Sequence, residues 1–266
     1  MKYVPRPLGD AAEASSGGGG KAQAVEFLKL AVFMVALLMF IWLILGASSE
    51  RLALLITPEQ ETALFSADFF DLEEPPAEGP YAAQTAFLQK TLGEFVARRP
   101  DLPELPYQLY LMDGPPNAFA IPGGKIAFST GLLDALDDEV ALAFVLGHEL
   151  GHFYRRDHLR RLGRQLGAQV GVVLVFGGGD AMGGRALDML NLAYSREAEA
   201  LADRFGLSLV VEMFGHAQGA EGLFETLLQE EKMPGWAYMF TTHPDTEGRI
   251  EKLRGYAEEL AQKGEP

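Results

Sequence analysis

The sequence predicts an α+β, mainly helical domain with a small β-hairpin, preceded by one membrane-spanning helix. Three observations carry this reading. Residues 27–46, FLKLAVFMVALLMFIWLILG, form an apolar run whose single charge is Lys29. Beyond residue 50, apolar positions recur mostly at helical spacing. One region, from Tyr107 to Ser129, instead has strand composition interrupted by Pro122-Gly123-Gly124.

Composition narrows the possibilities. The chain has 266 residues, 48% of them hydrophobic, which is ample for a packed core. Its 22 Lys+Arg against 37 Asp+Glu leave a net charge of −15, so a nucleic-acid partner is not expected. The absence of Cys excludes disulfides, thiolate metal sites and Cys nucleophiles.

The elements follow in chain order. Residues 1–23 contain Ser-Ser-Gly-Gly-Gly-Gly and read as a disordered cytoplasmic tail. Residues 24–47 read as the anchor. Twenty helical residues span about 30 Å, the thickness of a bilayer core, and Lys29 can snorkel at its edge. A cleaved signal peptide has a shorter apolar region and a shorter leader than the 26 residues found here. Lys2, Arg6, Lys21 and Lys29 lie before or at the start of the span, and Arg51 follows it. The positive-inside rule then places the N-terminus in the cytoplasm and residues 48–266 outside.

Within 48–266, Thr57, Pro58 and Gln60 have the capping-box arrangement of a helix start. Residues 71–80 read as a loop. Residues 81–98 read as an amphipathic helix with Phe87, Leu88, Leu92, Phe95 and Val96 on its buried side, ended at Arg99-Pro100. Residues 107–112 form a strand, and 118–121 with 125–129 form the hairpin. Asp137 or Asp138 caps the next helix, whose stripe includes Val140, Leu142, Ala143, Val145 and Leu146. Residues 170–176 are apolar but too short to cross a bilayer, and a Gly-rich loop covers 177–184. Further helices are expected near 186–209, 217–231 and 244–263.

Residues 148–152 are His-Glu-Leu-Gly-His. His148 and His152, at i and i+4, share one helical face, so both imidazoles can bind one ion, with Glu149 beside them to work on a bound water. Catalytic zinc requires a third ligand and an open position. His158 has the spacing of a third His, but that arrangement needs a helix-breaking Gly at position 155. Arg155 stands there, and the helix is expected to continue. Glu199 is the other candidate, with Asp203 one turn later on the same face. Glu197 lies on the opposite side of that helix and has no Asp partner at position 201.

HELGH, the later SREAEALADRFG and THPDTEGRIEKL together resemble the membrane-associated zinc endopeptidases related to HtpX and the Ste-type CAAX prenyl protease. The likeness is to their single-span bacterial envelope relatives and covers most of residues 55–260. It implies a zincin-like, gluzincin-type domain and one Zn2+ held by His148, His152 and Glu199. It also implies Asp203 as acceptor from a ligating imidazole and His243 near the catalytic centre. Glu149 is then the general base and His243 the donor to the oxyanion, with Arg249 supporting the site. The expected partners are protein or peptide substrates and a lipid bilayer along 27–46, at the bacterial inner membrane with the catalytic domain in the periplasm. The alternative function is a catalytically silent, chaperone-like module of the same fold. Intramembrane proteolysis is disfavoured, because Asp134, Asp137, Asp138 and Glu139 precede His148.

Overall fold

The computed structural model describes residues 19–65, 72–165, 193–220, 243 and 246–263. Residues 1–18 of the expected tail (1–23), the apolar patch 170–176, the loop 177–184 and most of the helix expected at 217–231 lie outside these residues; residues 19–23, expected in the tail, are helical.

The first helix, α1 (Gly19–Ala53), is one continuous rod of 35 residues, about 52 Å long. Residues Ala22–Ile41 are long and apolar enough to cross a membrane, and none of that stretch is buried in the protein. The helix continues past the apolar run, and Ala53, in its last turn, is buried against Leu159 and Leu162. Next comes α2 (Pro58–Leu64), opened by the expected box: Thr57 Oγ1 accepts from the Gln60 amide and Gln60 Oε1 from the Thr57 amide.

The helix α3 (Ala82–Arg98) buries Leu88, Leu92 and Phe95 at i, i+4 and i+7, while Phe87 and Val96 are half-buried. Three strands follow: β1 (Gln108–Met112), β2 (Ala118–Ile121) and β3 (Lys125–Ser129). Their order is β1-β3-β2, with β1 parallel and β2 antiparallel to β3. The β2–β3 hairpin turns through Gly123 and Gly124 at φ 85° and 80°, a backbone that favours glycine. The short α4 (Thr130–Ala135) is capped by Ser129.

Helix α5 (Glu139–Tyr154) is the centre of the domain. Asp138 is its cap, accepting from the Ala141 amide at 2.9 Å. Every residue from Ala141 to Phe153 is buried. A single apolar stripe was expected. Instead α3, β2 and α7 (Arg196–Phe214) each pack on α5, so it is covered all round. The helix also does not run on past Arg155. It stops at Tyr154, Arg156 takes φ 55°, and a new helix, α6, is described over 157–165. The helix expected from about 186 begins, as described, at Arg196, where Ser195 accepts from the Ala198 amide, and it ends at left-handed Gly215. The last helix, α8 (Thr246–Lys263), packs on α7.

Candidate metal centre

The centre is built where α5 and α7 cross at unusually close range. A Cβ on Gly147 would lie 2.9 Å from the Gly206 Cα, and one on Gly151 would lie 2.8 Å from the Ala202 Cα. The cost of glycine inside a helix is thus offset by backbone-to-backbone approach. The same approach brings side chains of α7 up to the His-bearing face of α5.

His148, His152, Glu199 and His243 each turn a donor atom into one small space, all four within 4.8 Å of one another and all buried. The two Nε2 atoms are 3.2 Å apart, and the Glu199 oxygens lie 3.6 Å from His148 Nε2 and 3.5 Å from His152 Nε2. Donor atoms held about 2.0–2.2 Å from a tetrahedral ion lie roughly 3.3–3.6 Å apart, so this set fits such an ion. His243 Nδ1 is 3.1 Å from Glu199 Oε2 and 3.4 Å from His148 Nε2, beside these three donors. Its Nε2 lies 3.8 Å from Glu149 Oε1. The other Glu149 oxygen is buried and has no hydrogen-bond partner among the described residues.

Around these groups sits a second set of charges. His148 Nδ1 donates to Asp203 Oδ1 at 2.8 Å, which fixes the tautomer and leaves Nε2 with a lone pair for an ion. Arg249 grips Asp203 with two N–H groups, at 2.8 and 2.6 Å, and reaches Glu199 Oε2 at 2.8 Å. Burial alone would raise the Glu199 pKa; His243 and Arg249 outweigh it and hold the carboxyl well below the usual range. Asp203 is likewise lowered, with burial opposed by Arg249 and His148. Burial pulls the His148 pKa down. It acts the same way on His152, but Asp157 and Glu199 outweigh it and push that imidazole up to about 9. Two imidazole nitrogens this close are one coupled acid, sharing a proton that an ion would displace. With imidazoles neutral, the buried Glu149, Asp157, Glu199 and Asp203 face the buried Arg161 and Arg249, an excess of two negative charges that suits a divalent cation.

Every site residue expected from the sequence comes to this centre: Glu149, His148, His152, Glu199, Asp203, His243 and Arg249. Glu197 is exposed, as its position round α7 required. His158 is elsewhere, its Nε2 donating to Glu61 at 2.9 Å. Three residues were not anticipated. Asp157 Oδ2 lies 3.5 Å from His152 Nδ1. Tyr194 stacks flat on the His152 ring, with centroids 3.7 Å apart. The Arg161 guanidinium in turn covers Tyr194 at 4.3 Å. Asp157 and Arg161 reach the site only because the chain breaks at 155–156. In an unbroken helix, residue 157 would point about 140° away from residue 152.

A buried His-Glu-x-x-His helix, crossed by a second helix that carries a buried carboxylate and flanked by a small sheet, defines a zincin-like metalloprotease fold. The sequence model of peptidase family M48 matches residues 82–257, and the chain belongs to that family. Among proteins it resembles is the mitochondrial metalloendopeptidase OMA1 of Schizosaccharomyces pombe, 30% identical over 191 residues, covering 70% of this chain and 56% of that one. The metalloprotease YcaL of Escherichia coli is 29% identical, covering 65% of this chain and 69% of that one. A protease HtpX homologue of Salinibacter ruber is also 29% identical, over 60% and 71%. The chain thus spans little more than half the length of the S. pombe protein.

Proposed function

We propose that this chain is a membrane-anchored zinc endopeptidase of the bacterial inner membrane, cleaving exposed or misfolded segments of envelope proteins on the periplasmic side. The observation that carries the reading is the cluster of four buried donor atoms with Glu149 beside it. His148, His152 and Glu199 would hold Zn2+. When bound there, zinc lowers the pKa of a coordinated water and polarises a peptide carbonyl.

The rest of the chemistry belongs to the protein. Glu149, one oxygen of which has no hydrogen-bond partner among the described residues, takes the proton from the attacking water and delivers it to the leaving amine. Asp203 holds the His148 ring in the tautomer that presents Nε2. Arg249 keeps both Asp203 and Glu199 ionised by contacting each directly. His243, facing Glu149 on one side and Glu199 on the other, donates to the oxygen on which negative charge develops. The apolar surface that α1 exposes is of the length a bilayer would cover, which supports the anchor.

Casein digestion by the full chain in detergent, with and without a chelator, tests the proposal alongside zinc quantification. Cleavage that the chelator abolishes and zinc restores is expected. Glu149→Gln should keep about one zinc and lose cleavage by a factor of at least about 100, the lower range for a general base. A zinc-loaded wild type that cleaves nothing would point to the catalytically silent module instead.

A further inference from the structure

Outside the donor cluster, a carboxylate from the helix that follows α1 is completely buried. Glu61 of α2 has no solvent exposure. Its Oε1 accepts from the Gly123 amide at 2.8 Å and from His158 Nε2 at 2.9 Å, and its Oε2 accepts from Arg156 at 2.8 Å. One side chain thereby ties three parts of the fold: the turn of the β2–β3 hairpin, the first turn of α6, and the junction that ends α5. So fully satisfied a buried carboxylate holds its partners rigidly, and its pKa is lowered to about 2: burial opposes ionisation, and His158, Gly123 and Arg156 outweigh it.

The junction it holds is strained. Arg156 has φ 55° and is the one non-glycine residue with positive φ among the described residues. A residue with a Cβ stays in that conformation only where its surroundings impose it. Here the Arg156 amide donates to the Phe153 carbonyl at 2.9 Å, and its own carbonyl accepts from the Leu159 and Arg160 amides. It therefore closes one helix and opens the next. The turn at 156 aims Asp157 at His152 Nδ1 and places Arg161 over Tyr194, which stacks on the same imidazole.

We propose that Glu61 is a positioning residue for the metal centre: it holds Arg156 in its left-handed turn and so sets Asp157, Tyr194 and Arg161 against the His152 ring. The chain of contact runs from the first helix after the membrane anchor to one zinc ligand. This inference rests on the reading of His148, His152 and Glu199 as ligands.

The test is the rate at which zinc-loaded full chain in detergent releases metal to a chromophoric chelator, well below the melting temperature. Outer partners of a ligating imidazole are worth about 10–100-fold in metal affinity, so Glu61→Gln should release zinc about 10-fold faster. Glycine adopts positive φ without an ion pair, so the Glu61→Gln/Arg156→Gly double variant should return to near the wild-type rate. Arg156→Ala, which loses both ion pair and conformation, should be fast, and Arg156→Gly slow. These two keep the comparison available should Glu61→Gln not fold. Leu109→Ala in β1 is the control for lost stability alone, and should melt lower without releasing zinc faster. Wild-type release rates in Glu61→Gln and Arg156→Ala, accelerated release in Leu109→Ala, or a double variant that stays fast would each overturn the proposal alone. A wild-type chain that takes up no zinc overturns the ligand reading and this proposal with it.

Discussion

His148 and His152 illustrate how one residue pair carries both the chemistry and its pH dependence. Their Nε2 atoms are 3.2 Å apart, with the His148 pKa lowered by burial and that of His152 at about 9, because Asp157 and Glu199 outweigh its burial. Without metal the pair therefore carries about one proton at pH 7, which a ligand set must give up to bind an ion. Zinc binding at pH 7 is expected to release about one proton from this pair, and release should fade as pH rises through 9. Calorimetry in buffers of different ionisation enthalpy measures it. Glu199→Ala removes a donor and the carboxylate that Arg249 contacts, and is expected to lose stoichiometric zinc by metal analysis. At this scale the sequence was legible wherever spacing alone decides a direction, as with Glu199 in and Glu197 out. His243 and Arg249 were accessible only through resemblance, since nothing local says that a residue 91 or more positions after His152 returns to it. Asp157 was hidden because its direction depends on a backbone turn at Arg156 that has no composition signal.

Between α5 and α7, the spacing of two helices is set by what is missing from them. A Cβ on Gly206 would come within 2.7 Å of the His148 amide nitrogen and 3.1 Å of the Phe144 carbonyl oxygen, both backbone atoms that cannot swing aside. Gly206→Ala must therefore push α7 off α5, at a cost of about 1–3 kcal/mol for overpacking, and must also draw Glu199 and Asp203 back from the imidazoles. The expected result is a lower melting temperature together with weaker zinc retention. Gly93 in α3 is the counter-case: exposed, helical, and with nothing within 4 Å of an added Cβ. Gly93→Ala should raise stability by about 0.4–1 kcal/mol and leave zinc retention untouched. Thermal melts of both variants decide this. Nothing local in the sequence says that the backbone at Ala202 and Gly206 is what Gly151 and Gly147 meet. Periodicity located α3, the hairpin and the start of α5 because each has a local cause: a spacing of apolar residues, a Pro-Gly-Gly turn, an Asp cap. The all-round burial of α5 has no local cause, since it follows from three neighbours closing on it.

Charge and anchor meet at the scale of the whole chain. Residues 1–46 hold four basic and three acidic groups, so 47–266 carry −16, an acidity that belongs to the domain beyond the anchor and not to the tail. The last turns of α1, past residue 47, nevertheless pack with that domain. The last turns of α1 lie against α6: a Cβ on Gly163 would meet the Ser49 carbonyl oxygen at 2.5 Å, Arg164 pairs with Glu50 at 2.9 Å, and Ala53 covers the buried Leu159 and Leu162. The half-exposed ion pair contributes little. The apolar contact is the stabilising part, since fully burying a leucine is worth about 1.5–3 kcal/mol and Ala53 covers only a portion of the two. A soluble chain beginning at residue 48 keeps this contact; one beginning at residue 57 exposes Leu159 and Leu162 at the start of α6. The shorter chain should therefore be less stable by on the order of 2 kcal/mol, melt at a lower temperature and bind more of a hydrophobic dye. Equal melting temperatures for the two would mean that α6 does not depend on the anchor. Because α6 also carries Asp157 and Arg161 to the metal centre, the shorter chain should retain zinc less well too, so that the boundary between anchor and domain falls inside α1 and not at its end.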